Sequence, residues 1–449
     1  MGILFGTDGI RGLANKYPIN CEIALQTGRA IGFFTKENGY SSVIIGKDTR
    51  ISGDMLESAL AAGVASTGMD VLLAGIIPTP GVAYLCSIAK NAGAGIVISA
   101  SHNPYQDNGI KIFKYGGEKL SDKQEHKIED YILNQKNVPQ GNVGKITVIS
   151  DSLKQYADFL LTKFPFGKLN TRLKLIIDCS NGAASKISHI VFNDKLFDTQ
   201  FIFDSPDGKN INQACGSQHT KKLQKRVCRE KADLGIAFDG DADRLIAVDE
   251  KGNVITGDRI LAICAKFAKQ KGDLHQNTVV STIMSNIGLD EMLDNHGIQH
   301  IKSNVGDRKV LEQMKKSGAV IGGEDSGHII FLDSHTTGDG LLCALKLIEV
   351  MLETKKTLSS LAAVMTVYPQ VLKNIDVPEF LPDLLKKKLI ADTIKEVEYK
   401  LEGKGRVLIR YSGTQPLLRV MVEGPDQDLI DRYCDIICDS IKAAIKKEL

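Results

Sequence analysis

Three times along this chain a short, β-branched apolar run ends in a cluster of Gly, Asp, Asn or Ser and is followed by a segment with helical spacing. The runs are Ser42-Val-Ile-Ile-Gly-Lys-Asp48, Leu173-Lys-Leu-Ile-Ile-Asp-Cys-Ser-Asn181 and Thr278-Val-Val-Ser-Thr-Ile-Met-Ser-Asn286. Strand, polar turn and helix in repetition predict α/β layers with a largely parallel sheet. In the first unit the apolar residues of Met55–Val64 recur at helical intervals, and Ser52 stands where it would cap that helix. The same unit in three successive regions hints at three related domains. A chain of 449 residues agrees, since that length corresponds to about three domains.

The end of the chain is built differently. Arg406–Arg410 and Leu418–Val422 read as two strands joined by Tyr-Ser-Gly-Thr-Gln-Pro-Leu. After Pro425 a helix is expected from Asp426 to Lys447, with Leu429, Ile430, Tyr433, Ile436, Ile437, Ile441 and Ala444 on one side. Cys434 and Cys438 would fill its core face. Lys442, Lys446 and Lys447 suit the negative pole of its dipole. This predicts a small α+β domain. Polar stretches near 135–152 and 367–378 read as connections between domains.

Composition excludes several classes. The net charge of +2 gives no reason to expect nucleic acid or an anionic membrane as partner. No apolar run approaches the roughly 20 residues of a membrane span. The start, Met1 to Asp8, has neither a basic leader nor a cleavage site, and Gly6 stands where a myristoylation signal needs Ser or Thr. The nine cysteines are scattered without a Cys-x-x-Cys pair, as expected of reduced thiols in a cytoplasm.

Four segments carry chemistry. Ala94-Gly-Ile-Val-Ile98 reads as a buried strand and runs into Ser99-Ala-Ser-His-Asn-Pro-Tyr-Gln-Asp-Asn-Gly-Ile-Lys111. Such a turn either presents a reactive hydroxyl at the sheet edge or is a plain Ser/Asn/Pro/Gly bend. Asp239-Gly-Asp241-Ala-Asp243-Arg244 crowds three carboxylates at i, i+2 and i+4, which repel one another unless a cation lies among them. A solvated acidic turn is the alternative. An EF-hand is excluded although Glu250 falls at the twelfth position from Asp239. Arg244 occupies the sixth, where Gly is needed, and the flanks 232–238 and 245–248 look like strands.

In Ile321-Gly-Gly-Glu-Asp-Ser-Gly-His-Ile-Ile330, Glu324, Ser326 and His328 sit in a glycine-framed loop of the kind that reads sugar hydroxyls. A turn with a core histidine is the alternative. In Arg410-Tyr-Ser-Gly-Thr-Gln-Pro-Leu-Leu-Arg419, two arginines flank Ser412, Gly413 and Thr414, either as a phosphate cradle or as a plain hairpin turn. No Gly-Lys-Ser/Thr is present there, so nucleotide binding is not implied. Arg11 and Asp8 share a Gly-rich loop at 5–12.

Together these segments give the chain a resemblance to the α-D-phosphohexomutases, over its whole length and in order. The matching segments are FGTDGIRG at 5–12, GKDTR at 46–50, SASHNP at 99–104, PDGKNINQACGSQH at 206–219 and DGDADR at 239–244. They continue with MSNIG at 284–288, VGDR at 305–308, GGEDSGHI at 322–329, TTGDG at 336–340 and RYSGTQP at 410–416. Segments 5–12, 212–219 and 336–340 are more similar to the glucosamine branch than to the phosphomannomutase/phosphoglucomutase branch.

The resemblance implies an α/β architecture of four domains around a central cleft, three similar mixed α/β domains and a smaller α+β C-terminal one. Their expected bounds are 1–148, 149–252, 253–368 and 369–449. It implies that Ser101 carries the transferable phosphoryl group, with Ser99 structural at the strand end. Arg11, Lys111 and His102 complete the catalytic set, Lys111 as proton shuttle or as simple positive charge. Mg²⁺ would be held by Asp239, Asp241, Asp243 and the Ser101 phosphate. Substrate would be bound by Arg244, Glu324, Ser326 and His328 and, at its distal phosphate, by Arg410, Ser412, Gly413, Thr414 and Arg419. The implied reaction converts glucosamine 6-phosphate to glucosamine 1-phosphate, feeding UDP-N-acetylglucosamine and peptidoglycan precursor synthesis. Glucosamine 1,6-bisphosphate or glucose 1,6-bisphosphate would be intermediate or activator. Phosphomannomutase/phosphoglucomutase activity and a silent sugar-phosphate binder are the alternatives. A cytoplasmic homodimer without nucleic-acid or membrane partners is also implied. Two residues depart from the family pattern: Gln415, where Glu is usual, and Gln218, where this branch has Thr.

Overall fold

The computed structural model describes residues 3–6, 8–134, 141–165, 172–193, 195–377, 384–411 and 417–446. The chain divides into two compact units, Met1–Met284 with Gly297–Val364, and Ser285–His296 with Met365–Leu449.

The first unit holds three sheets. The seven-stranded sheet runs Ile10–Leu13, Asp107–Lys114, Ala92–Ile98, Ser42–Lys47, Asp70–Ile76, Ile146–Val148, with Glu118–Lys119 paired to Asp107–Lys114. The five-stranded sheet runs Val254–Ile255, Leu245–Asp249, Leu234–Phe238, Lys174–Asp178, Asp198–Ile202. The four-stranded sheet runs Gln299–Ser303, Thr278–Thr282, Ile321–Gly323, Ile329–Phe331.

One four-strand plan recurs in all three. Leaving aside the edge strand Ile10–Leu13, the first strand of each sheet in chain order lies between the second and the third, parallel to both. The fourth then folds back antiparallel on the third. The sheets are therefore mixed rather than largely parallel. The antiparallel return puts a tight loop, not a helix, after each third strand, and those three loops are 99–106, 239–244 and 324–328. Strands inside these sheets are covered on both faces: every residue of Ala92–Ile98, Leu234–Phe238, Leu245–Asp249 and Thr278–Thr282 is buried.

Three expectations need correction. The helix Gly53–Ser66 begins after Ser52, but Ser52 has helical backbone angles and makes no side-chain cap. Its hydroxyl instead accepts from Asn108 Nδ2 at 2.8 Å, tying the helix start to the strand Asp107–Lys114. The stretch 135–152 is not simply a connection, since Ile146–Val148 adds the last strand of the first sheet. Nor is 367–378, because Gln370–Asp376 is a strand in the second unit.

In that second unit Gln370–Asp376 and Arg406–Tyr411 flank Leu417–Glu423, each antiparallel to it. Helices Lys388–Lys400 and Gln427–Lys446 cover the sheet. Ile430, Cys434, Ile437, Cys438 and Ile441 pack on Leu418, Val420 and Val422. Ile436 is 47% exposed, because ~100° per residue carries it off the stripe through Ile430, Cys434, Ile437 and Ile441. Lys447 lies outside the described residues. Among the described residues, no helix is long and apolar enough to cross a membrane.

Candidate active site

All three recurrent loops of the first unit meet at one place. The loop after Ala92–Ile98 presents Ser101, fully buried and in a left-handed conformation with φ of 52°. For a residue with a Cβ that conformation costs on the order of 1–2 kcal/mol, so surrounding contacts must hold it. Ser101 Oγ donates to Asp239 Oδ2 at 2.5 Å and lies 3.3 Å from His102 Nδ1. Ser99 Oγ donates to Asp48 Oδ2 at 2.6 Å and accepts the Ser101 N–H at 2.9 Å, the structural role expected of it.

The loop Asp239–Arg244 joins two strands, as its flanks predicted. Thr79 N–H donates to the Asp241 carbonyl, Ala183 N–H to that of Gly240 and Gly340 N–H to that of Ala242, so three distant segments fix its backbone. Leu245 N–H bonds the carbonyl of Gly327, whose φ of 90° and close approach to the Leu245 carbonyl leave no room for a Cβ. The carboxylate loop and the loop 324–328 are thereby locked together. Glu250 instead takes the hydroxyl and N–H of Ser359, which removes the last trace of an EF-hand.

Asp239, Asp241 and Asp243 are buried, and one oxygen of each lies within 4.8 Å of the others. Lys111, on the strand Asp107–Lys114 and 2% exposed, reaches Asp241 Oδ2 at 2.8 Å and Asp243 Oδ2 at 3.1 Å. Thr79 Oγ1 also donates to Asp241 Oδ2, at 2.5 Å. Oδ1 of Asp241 and Oδ1 of Asp243 are buried without a hydrogen-bond partner among the described residues. Leaving such an acceptor bare costs about 1–3 kcal/mol or more. Bare carboxylate oxygens on two of three clustered Asp residues fit a hard divalent cation such as Mg²⁺, and Lys111 does not occupy them.

The charges continue outward as a closed ring. Asp8 Oδ2 faces Lys111 at 3.2 Å and Arg11 at 3.0 Å, and Asp8 Oδ1 faces Lys119 at 2.6 Å. Lys119 also pairs with Asp307. The buried His328 ring stands 3.9 Å from Asp307 and 3.8 Å from Asp243, which returns to Lys111. Burial raises Asp239 well above the ordinary carboxylate range, helped by Asp243 and Asp241. Burial opposes the charge of Asp243, but Lys111 and His328 hold it well below that range. Burial likewise opposes the charge of Lys111, yet Asp241, Asp243 and Asp8 hold it well above the ordinary lysine value. Lys111 is thus held as a cation among three carboxylates. His102 is pushed down to about 4 by burial and then by Arg244 and Arg11, so it is neutral near pH 7.

Glu324 Oε1 accepts the Gly306 N–H at 3.0 Å, and Ser326 Oγ reaches Glu324 Oε2 at 3.5 Å. Both side chains are partly exposed. His328 departs from expectation. It is 3% exposed and turned to Asp243 and Asp307, so it serves the carboxylate ring rather than an open sugar face. Arg244 lies with Nε 3.7 Å from Asp243 Oδ1, and its N–H donates to Asp239 Oδ1 at 3.2 Å.

In the second unit Arg410 and Arg419 are direct cross-strand partners. Their Nε atoms are buried with no hydrogen-bond partner among the described residues. Burial and then Arg419 lower the pKa of Arg410. Two like charges placed opposite each other destabilise a sheet unless an anion joins them. Ser412, Gly413, Thr414 and Gln415 lie outside the described residues.

Sequence reasoning missed Asp48, Arg50, Thr79, Lys119, Asn212 and Asp307 as site residues. Asp48, Arg50, Asn212 and Asp307 fall in segments that resemble family motifs; Thr79 and Lys119 carry no local signal.

Phosphoglucomutase/phosphomannomutase family models match in series: alpha/beta/alpha domain I over residues 2–139, domain II over 154–252, domain III over 256–368 and the C-terminal domain over 347–440. The phosphoglucosamine mutase of Desulforapulum autotrophicum is 58% identical over 99% of this chain and 100% of its own length. The chain belongs to the phosphoglucomutase/phosphomannomutase family of α-D-phosphohexomutases. It has that family's four-domain α/β architecture. The phosphoglucosamine mutase of Syntrophobacter fumaroxidans is 51% identical over 99% of this chain and 100% of its own. Among solved structures, a phosphoglucomutase/phosphomannomutase family protein from Burkholderia thailandensis matches in fold with a TM-score of 0.83 at 23% identity, covering 98% of this chain and 97% of its own. Aspergillus fumigatus N-acetylphosphoglucosamine mutase, solved with GlcNAc-6P and magnesium, matches in fold with a TM-score of 0.69 at 17% identity, covering 99% and 96%.

Proposed function

We propose that this chain is a phosphoserine mutase that converts glucosamine 6-phosphate to glucosamine 1-phosphate. The observation that carries the chemistry is Ser101 Oγ at 2.5 Å from Asp239, at the edge of a buried three-carboxylate cluster with bare oxygens. The substrate follows from relatives at 58% and 51% identity that bear the name phosphoglucosamine mutase.

Phosphate-ester cleavage is among the slowest uncatalysed reactions, with enzymatic enhancements up to ~10²¹, so positioning and charge must supply the rate. Phospho-Ser101 carries a charge of about −1.5 to −2. The sugar O1 attacks its phosphorus, the P–Oγ bond breaks as the O1–P bond forms, and the O1 proton ends on Ser101 Oγ. The product is glucosamine 1,6-bisphosphate. After the bisphosphate turns, Ser101 Oγ attacks the phosphorus on O6, the P–O6 bond breaks as the P–Oγ bond forms, and the serine hydroxyl proton ends on O6, which regenerates phosphoserine and releases glucosamine 1-phosphate. Glucose 1,6-bisphosphate would serve as the activator that first loads Ser101.

Asp239, Asp241 and Asp243 would hold Mg²⁺, which when bound supplies positive charge to phosphoryl oxygens. Lys111 and Arg11 add fixed positive charge beside Ser101, and His102 is its neutral neighbour. Glu324 and Ser326 orient the sugar hydroxyls, with Arg244 at the approach. Arg410 and Arg419, with Ser412, Gly413 and Thr414, hold whichever phosphate is not reacting. The bounds 1–148, 149–252, 253–368 and 369–449 then assign one loop to each domain: phosphoserine, metal, sugar and phosphate. Nine free cysteines support a cytoplasmic setting. A homodimer belongs to the same proposal by family resemblance.

Intact-mass analysis of the wild type beside Ser101→Ala, each incubated with glucose 1,6-bisphosphate and Mg²⁺, tests the nucleophile. One added phosphate on the wild type alone is expected. A phosphate that persists on the alanine variant would mean the nucleophile is another residue.

A further inference from the structure

The segments at 46–50 and 206–219 have no role in the chemistry above, yet both end on the backbone of the Ser101 loop. Arg50 is buried, with a side chain 0% exposed. A guanidinium has five N–H donors in a fixed plane, and here all five are used. Nε donates to Asp48 Oδ2 at 2.8 Å. Nη1 donates to the carbonyls of Pro104 and of Asp107, the latter at 3.0 Å. Nη2 donates to those of Ser101 at 2.9 Å and Asn103 at 2.8 Å. Asp48 closes the arrangement by taking Ser99 Oγ, which holds the Ser101 N–H.

Asn212 approaches from the other segment. Its Nδ2 donates to the carbonyls of Ser101 and Asn103, each at 2.9 Å, the same two that Arg50 Nη2 holds. Asn212 is itself left-handed, with φ of 59°, and its N–H donates to the Ser180 carbonyl at 2.9 Å. Gly240 packs against the same junction. A Cβ there would lie 2.5 Å from the Ser101 carbonyl oxygen and 2.9 Å from Asn212 Nδ2.

We infer that Arg50 and Asn212 are positioning residues that set the Ser101 loop for phosphoryl transfer: between them they bind three of its carbonyls and that of Asp107 at the start of the next strand, and hold Ser101 left-handed against Asp239. Neither touches a reacting atom, and both act through the Ser101 peptide. Arg50 also neutralises the partial negative charge of four carbonyls that stand within a few residues of a phosphoserine dianion. Asn212 belongs to the segment that packs behind the carboxylate loop, so its amide couples the position of Ser101 to that of Asp239.

The inference rests on Ser101 being the phosphoryl carrier, and its test separates the two. Asn212→Ala removes two donors without touching the metal or sugar residues. Asn212→Asp places an acceptor against two carbonyls. Gly240→Ala pushes on the same peptide from the opposite side. Each is assayed for kcat and KM with glucosamine 6-phosphate, for phosphate uptake at Ser101 from glucose 1,6-bisphosphate by intact mass, and for thermal midpoint. A displacement of about 1 Å in a reacting group costs on the order of 100-fold in rate. A fall in kcat of about 10- to 100-fold is therefore expected for Asn212→Ala, with slowed Ser101 phosphorylation, KM within about twofold and a nearly unchanged midpoint. Asn212→Asp is expected to fall further. Arg50→Lys, which keeps the charge but offers three donors for five acceptors, is expected not to restore the rate. A wild-type kcat in Asn212→Ala, or losses that follow the midpoint in all variants, overturns the inference while leaving the carrier intact. A wild-type protein that takes up no phosphate at Ser101 overturns the carrier reading instead.

Discussion

Replacing Lys111 with Met removes one cation from among Asp8, Asp241 and Asp243, at 3.2, 2.8 and 3.1 Å. Lys111 and Asp241 are almost fully buried, so neither is rescued by water. Removing one partner of a buried ion pair costs about 3–5 kcal/mol, because the other charge is left uncompensated. The first unit has roughly 350 residues, and ~2.1 cal/mol/K of unfolding entropy per residue turns that cost into a fall of about 4–7 °C in midpoint. A divalent ion changes the result. Lys111 uses Oδ2 of Asp241 and Asp243, and neither Oδ1 atom has a hydrogen-bond partner among the described residues, so both would be open to the proposed metal. Mg²⁺ then returns charge to the same carboxylates, and the variant should lose less in its presence. By linkage, the apparent Mg²⁺ affinity of Lys111→Met should rise while kcat falls. Calorimetric scans of wild type and variant in EDTA and in millimolar Mg²⁺ test this. Equal midpoints in EDTA, or the same fall with and without Mg²⁺, would refute the charge accounting.

Other outcomes follow from separate parts of the molecule. Arg410→Ala, which removes one of two opposed guanidiniums, should raise KM for the sugar phosphate at least tenfold, corresponding to about 1.4 kcal/mol of binding, with kcat less affected; an unchanged KM removes it from the phosphate site. Glu324→Gln keeps the Gly306 N–H bond but loses the charge that accepts sugar hydroxyls, so KM is again the parameter expected to rise. Asp178, which accepts the Ser180 and Gly216 N–H groups, is pushed up to about 7 by burial. Unfolded, it titrates near ~3.9. The native state therefore binds the extra proton, and this contribution to stability is present at low pH and lost as pH rises through about 7. Asp178→Asn should accordingly be more destabilising at pH 5 than at pH 8, and equal penalties at both would contradict the assignment.

What the sequence made legible follows how local each signal is. The carboxylates of 239–243, the Ser101 turn and the strands 406–411 and 417–423 are encoded within a few residues, and each lies where its pattern predicts. The strand Gln370–Asp376 reads as a linker in sequence because it is an edge strand: only Val371 and Ile375 are buried, and the rest is polar or exposed. Ile146–Val148 is an edge of three residues with no buried side chain. Lys119, Asp307, Thr79, Arg50 and Asn212 act on groups 51 to 188 residues away, so only the fold reveals them. The recurrent strand plan was visible as three β-turn-α runs, but its antiparallel return was not, since buried strands look alike whichever way they pair.

The central claim is that this chain moves phosphate between O6 and O1 of glucosamine. The most direct measurement is ³¹P NMR of the purified protein with glucosamine 6-phosphate, Mg²⁺ and a trace of glucose 1,6-bisphosphate. The account predicts growth of a glucosamine 1-phosphate resonance with the wild type and none with Ser101→Ala. No 1-phosphate from glucosamine 6-phosphate, with ready conversion of mannose 6-phosphate under the same conditions, would contradict it.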